Sequence, residues 1–165
     1  MSAVEDTVRS ADVRCLVTLI NGETLVETPA GIVPEKHLRL AMNDIVEPQR
    51  GLVHPNEDHV ADLLAFAHAW DRKQPMMIHC WAGISRSTAA AFITLCTLNP
   101  RCDERQIARA LRRASPTAMP NRRLVHLADI MLKREGRMLE ALDLIGRGEM
   151  AFEARVFELP VKVAA

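Results

Sequence analysis

The stretch Met76-Met77-Ile78-His79-Cys80-Trp81-Ala82-Gly83-Ile84-Ser85-Arg86-Ser87 changes character twice in twelve residues. Met76-Met77-Ile78 is short, continuous and apolar, as expected of a central strand covered on both faces. From about Ser87 to Leu98 the chain reads as a helix that stops at Asn99-Pro100. Between them, the seven residues Cys80 to Arg86 suffice for a tight loop, and Gly83 at its middle permits unusual backbone angles. Such a loop turns its backbone N–H groups inward, and the following helix adds the positive end of its dipole. The product is a cradle for an anion. Cys80 and Arg86 turn the cradle into a candidate reaction centre. An ordinary thiol is only about 3% ionised at pH 7, whereas one among N–H groups and beside a guanidinium is held as thiolate. Arg86 can grip two oxygens of a phosphoryl group at once, which a lysine cannot. The Ser87 hydroxyl can donate to the sulfur and help it leave.

Outward from this stretch, strands alternate with helices. Val13–Ile20 reads as a buried strand ended by Asn21-Gly22, and His37–Met42 as a second, shorter one. Thr24–Val33, which holds Pro29 and Gly31, is a loop or a short edge strand. A polar loop covers Asn43 to His54. A helix then opens at Pro55-Asn56, with Asn56 as N-cap and Val60, Leu63, Leu64, Ala67 and Trp70 on one apolar face. Further helices are expected over Cys102–Ala114 and over Asn121–Glu135, the latter capped by Asn121 and ended by Gly136. Arg137 to Val163 is assigned one or two more. The alternation implies an α/β fold, a central, mostly parallel sheet flanked by helices.

The 165 residues, 48% of them apolar, are enough for one core, and the chain is read as a single domain over 1–165. Only 4% are aromatic, so that core is mainly aliphatic. Twenty-one basic and 21 acidic side chains cancel, leaving no whole-molecule field for nucleic acid or an anionic membrane. The charge is uneven: residues 1–79 hold 7 basic and 12 acidic side chains, net −5, and residues 101–150 hold 11 and 7, net +4. The polar, acidic Met1–Ser10 does not resemble a secretion signal, and no apolar run is long enough to span a membrane. Four cysteines (15, 80, 96 and 102) without a CxxC pair argue against a structural metal and for reduced thiols in a cytoplasmic setting.

His79-Cys80-x-Ala82-Gly83-Ile84-Ser85-Arg86-Ser87 resembles the loop of the cysteine-dependent protein tyrosine phosphatases, most closely that of the dual-specificity branch. Met42-Asn43-Asp44 resembles that family's general-acid loop, and Pro116-x-x-x-Pro120-Asn121-x-x-Leu124 the segment before its last main helix. The matches span about residues 37–131, with 137–165 as an added helical segment. The resemblance implies a phosphomonoesterase working through a phosphocysteine: Cys80 as nucleophile, Arg86 and the loop residues Trp81, Ala82, Gly83, Ile84 and Ser85 as phosphate binders, Ser87 assisting the sulfur and Asp44 as general acid. It implies a phosphorylated protein or other phosphomonoester as substrate, no cofactor and no metal. The chain departs from the family in having no Asn-x-Tyr recognition loop and no tyrosine at all, which argues against a deep tyrosine-specific pocket. The loop also lacks the paired lysines typical of phosphoinositide 3-phosphatases.

By position alone, three acidic groups lie between the second strand and the next helix. They are Asp44, Glu47 and Asp58, of which Asp58 is expected in the first helical turn. His54, His59 and His68 are spaced wrongly for ligands one turn apart. His79 is either a tuning group for the loop or a structural strand end. Arg105, Arg109, Arg112 and Arg113 make one helix basic, by default a solvated face. Cys96 and Cys102 are assigned to packing rather than to redox pairing with Cys80. Rival readings are a catalytically silent phosphate-binding module and a phosphatase for RNA 5′-ends or phosphoinositides.

Overall fold

The computed structural model describes residues 2–24 and 26–163. Met1, Leu25, Ala164 and Ala165 lie outside the described residues. They take with them the first residue of the Met1–Ser10 reading, one position of Thr24–Val33 and the end of the C-terminal segment.

Cys15–Ile20 forms β1, a six-residue run of which every side chain is buried. It pairs in parallel with β2 (His37–Ala41) on one side and with β3 (Met76–His79) on the other, giving the order β2-β1-β3. An α/β fold with a parallel sheet is therefore what the residues form. The strand they bury most completely is β1, not β3. Met76, Met77 and Ile78 are only half-buried, and β3 is an edge strand of the described sheet. Its apolar run is explained by the chain beyond it, since residues of the C-terminal stretch and β3 line the same cleft.

Side chains alternate across the sheet. Val17, Leu19 and Leu40 join the main core with Val60, Leu63, Phe92 and Ile93 of two helices, α2 (Glu57–Ala69) and α3 (Arg86–Leu98). On the opposite face Leu16 packs with Val8, Val13 and Ile32, under the N-terminal helix α1 (Ser2–Ser10), which the sequence reading did not anticipate. Full burial of an apolar side chain of this size contributes about 1.5–3 kcal/mol. The Thr24–Val33 stretch holds no strand among its described residues, and a 3-10 turn, Pro34–Lys36, leads into β2.

Asn56 caps α2 as expected. Its side chain accepts from the His59 N–H, and His59 Nδ1 accepts in turn from the Asn56 N–H. That reciprocal box gives His59 a structural partner. Val60, Leu63 and Ala67 form the buried stripe, while Leu64 is half-buried and Trp70 stands just past the last turn.

The last helices differ from expectation. α4 (Glu104–Ala114) is capped by Asp103, and α5 (Arg122–Met131) by Asn121. α5 stops short of Gly136, which instead precedes α6 (Arg137–Ile145) at φ 88°. The cause is Arg134. Lys133 and Glu135 take positive φ around it, and its guanidinium turns inward to Glu104 (2.8 Å) and to the carbonyls of Cys96 (2.8 Å) and Pro100 (3.2 Å). Asp129 closes the turn, accepting from Gly136 N–H (2.6 Å) and Met138 N–H (2.9 Å). α6 is thus one helix where one or two were expected over Arg137–Val163, and after it the described chain to Val163 is irregular, so only the first part of the 137–165 segment is helical. It returns along α3, with Phe157, Leu159 and Val163 against the main core and Asn99 bonded to Val161 and Val163.

Candidate active site

β3 ends at His79 and α3 begins at Arg86, so the intervening loop lies at the carboxyl end of the parallel sheet, where ligands collect in such folds. Gly83 sits at φ 72°, a conformation costly for other residues. A Cβ there would also press on Ala154 at 3.3 Å. No side chain caps the first turn of α3, so its N–H groups remain available to an anion. The outer side of the loop is held by three strands of chain. Ile84 C=O accepts from Met119 N–H (2.9 Å), Ser85 C=O from Asn121 N–H (3.3 Å), and Ala82 C=O from Ala154 N–H (2.8 Å).

Cys80 is 8% exposed, and its Sγ lies 3.2 Å from the Ser87 hydroxyl. Arg86, the first residue of α3, is 7% exposed. One terminal nitrogen donates to the Met42 carbonyl at 2.7 Å, which fixes the guanidinium plane against the end of β2. Its Nε is buried without a hydrogen-bond partner. An unpaired buried donor on a cation is costly unless a ligand completes it.

Asp44 follows β2 on the rim of the loop. Its Oδ1 accepts from the Ser85 hydroxyl (2.7 Å) and from Asn121 Nδ2 (2.9 Å), and Oδ2 is 3.9 Å from Arg86 Nε. Asn121 thus does two jobs, capping α5 with its oxygen and holding Asp44 with its amide. Only the capping was legible in sequence. Glu47 and Asp58 are exposed, and Asp58 sits in the first turn of α2 as expected.

Trp81 is 73% exposed on the loop's outer lip. It and Phe152, which is fully exposed, line a cleft of about 1100 Å³ that also touches Cys80, Ser87 and Thr94. Arg86 and Asp44 do not line that cleft.

The other cysteines are free and buried. Burial pushes the Cys96 thiol far up, and raises Cys15 and Cys102 as well, so these remain thiols. Arg105, Arg109 and Arg113 are exposed, whereas Arg112 reaches the carbonyls of Pro116 (2.6 Å), Ala118 (2.7 Å) and Gly146 (2.9 Å), tying α4 to the chain after α6. No three His, Cys, Asp or Glu side chains among the described residues gather where a metal ion could be held, and no helix is long and apolar enough to cross a membrane.

No protein-family model matches the chain, and no curated protein does. Solved structures do. The crystal structure of DUSP15 superimposes with a TM-score of 0.60 at 18% identity, covering 85% of this chain and 81% of that one. PTPMT1 in complex with PI(5)P gives 0.61 at 18% identity, covering 81% and 85%, and human DUSP28 gives 0.60 at 16%, covering 81% and 84%. With its parallel sheet, its flanking helices and its strand–loop–helix at Cys80–Arg86, the chain has the fold of the dual-specificity branch of the cysteine-dependent phosphatases.

Proposed function

We propose that the chain acts as one phosphatase domain over 1–165 that hydrolyses phosphomonoesters through a phosphocysteine, with phosphorylated protein as the substrate class. The observation that carries this is the buried Nε of Arg86, which has no hydrogen-bond partner and only the distant Asp44 carboxylate at 3.9 Å, together with a loop that holds Cys80 beside Ser87 at 3.2 Å. A phosphoryl group in the loop supplies the missing acceptor and meets the uncapped N–H groups of α3. The Cys80 thiolate attacks phosphorus, the P–O bond to the leaving group breaks, and the leaving oxygen takes the Asp44 proton. Arg86 and the loop N–H groups stabilise the charge on the equatorial oxygens. Water then attacks the S-phosphate, Asp44 recovers a proton from it, and the S–P bond breaks with the Ser87 hydroxyl donating to the departing sulfur. Inorganic phosphate leaves.

The test is turnover of a panel of phosphopeptides, aryl phosphates, phosphoinositides and RNA 5′-phosphates, with Cys80→Ser alongside. Cys80→Ser is expected to abolish turnover yet retain phosphate affinity, because the cradle is backbone and Arg86. Near wild-type turnover in this variant removes the nucleophile assignment. Phosphate binding by a wild-type protein that turns over nothing in the panel identifies a silent binding module instead.

A further inference from the structure

After α6 the chain runs back across the molecule as an irregular strap, residues 146–163, fastened along its length. Arg112 donates to the Gly146 carbonyl (2.9 Å), and Glu149 N–H donates to the Pro116 carbonyl (3.0 Å). Between these two points Gly148 passes close over the backbone at 117–118. A Cβ there would lie 2.6 Å from the Thr117 and Ala118 carbonyl oxygens, so only glycine fits. At the far end Asn99 grips the chain twice, its Nδ2 donating to Val161 C=O (2.8 Å) and its Oδ1 accepting from Val163 N–H (3.3 Å). The fastening in the middle is the catalytic loop itself, where Ala154 N–H donates to Ala82 C=O at 2.8 Å.

Two separate stretches of chain therefore hold the loop's carbonyls. Met119 and Asn121 N–H groups take Ile84 and Ser85 in its second half, and the strap takes Ala82 in its first. The Ala82–Gly83 peptide is trans, and in a trans peptide the C=O and the N–H point in opposite directions. With the Ala82 carbonyl turned out to the strap, the Gly83 N–H is turned the other way, into the loop. Gly83 permits the close approach that this needs. A Cβ at that position would meet the Ala154 Cβ at 3.3 Å and push the strap off the carbonyl it holds.

We infer that Ala154 is a positioning residue for the phosphate cradle: through Ala82 its N–H aims the Gly83 N–H at the anion, and an anion in the loop in turn tightens the strap. The second half follows from reciprocity. A contact that raises the affinity for phosphate by some factor is itself strengthened by bound phosphate by the same factor. Ala154 lies outside every motif that pointed to the loop, and it acts through its backbone alone. The task falls to a segment that the family resemblance, which ends near residue 131, leaves without one. The inference rests on the reading of Cys80–Arg86 as a phosphate loop.

Two measurements test it. The first is amide hydrogen exchange on the wild-type protein, with and without saturating inorganic phosphate. One aimed N–H donor is worth about tenfold in affinity, so the Ala154 amide should exchange about tenfold more slowly with phosphate bound. The Glu149 amide, bonded away from the loop, should not respond. An Ala154 amide indifferent to bound phosphate overturns the inference. The second measurement compares Ala154→Pro, which deletes the donor, with Ala154→Ser, which keeps it, and with Glu149→Pro, which deletes a strap bond elsewhere. Melting temperature, kcat/KM on an aryl phosphate and the inhibition constant of inorganic phosphate are read for each. Ala154→Pro should weaken phosphate inhibition and lower kcat/KM about tenfold. The other two should keep wild-type values of both, even where Glu149→Pro lowers the melting temperature. A folded Ala154→Pro with unchanged phosphate inhibition, or an equal loss in Glu149→Pro, overturns the inference and leaves the phosphatase reading intact. If Ala154→Pro does not fold, the exchange measurement decides alone. A wild-type protein that neither binds phosphate nor hydrolyses phosphomonoesters removes both.

Discussion

Asp44 illustrates how one side chain can match a motif and still owe its placement to residues far along the chain. Its carboxylate is held by Ser85 from the loop and by Asn121 from the start of α5, 77 positions away. Both donors meet Oδ1, which leaves Oδ2, 3.9 Å from Arg86, as the oxygen facing the site. A positioned acid contributes about 10²–10⁴-fold when the leaving group needs a proton. Asp44→Asn should therefore slow hydrolysis of phosphoserine peptides by about that range. Aryl phosphates with good leaving groups should be far less affected. Equal losses on both substrates, or a larger loss from Glu47→Gln, would move the role elsewhere. At this scale the sequence was informative where chemistry is local: Cys80, Arg86 and Ser87 are brought together by a seven-residue loop. It was silent where a side chain depends on distant partners. Neither Met42 carbonyl on Arg86 nor Ala154 N–H on Ala82 leaves any trace in composition or spacing.

Elements were legible wherever periodicity and caps agreed. Asn56, Asp103 and Asn121 all cap the helices they precede. Apolar periodicity could not say which strand is central, because a half-covered edge strand and a buried one are equally apolar over four residues. It also could not find the end of α5, since that end is set by a tertiary contact. The Arg134–Glu104 pair is 2.8 Å apart with both side chains over nine-tenths buried, and Arg134 satisfies two carbonyls besides. Removing one partner of such a pair strands a buried charge, at a cost of about 3–5 kcal/mol. Arg134→Leu should lose that much in urea denaturation, and Glu104→Gln, which keeps a hydrogen-bond acceptor for Arg134, should lose less. A loss below about 1 kcal/mol for Arg134→Leu would mean that the turn after α5 is held by Asp129 alone.

For the molecule as a whole, equal numbers of acidic and basic side chains leave no large self-repulsion at neutral pH. The pH dependence of stability near neutrality then falls to particular groups. His37 is pushed down to about 4, chiefly by burial and further by Arg39 and His79, while His79 and His59 are lowered for the same leading reason. In the unfolded chain these imidazoles take a proton near pH 6.5, and in the folded protein they refuse it. Between about pH 6.5 and 4 the unfolded state therefore binds more protons, and stability falls as pH falls. It is fully present above 6.5, and for His37 the loss is complete only once pH drops below about 4. That loss amounts to about 3 kcal/mol for His37, at 1.36 kcal/mol per unit. Unpaired carboxylates change charge mainly below pH 5, so denaturation curves between pH 7 and 5 isolate the histidine contribution. His37→Asn is expected to start from a lower stability at pH 7, because Thr18 and Thr28 lose their shared partner. Its stability should decline less steeply toward pH 5 than that of the wild type. Parallel slopes for the two proteins would show that His37 takes up its proton as readily in the folded protein as in the unfolded chain.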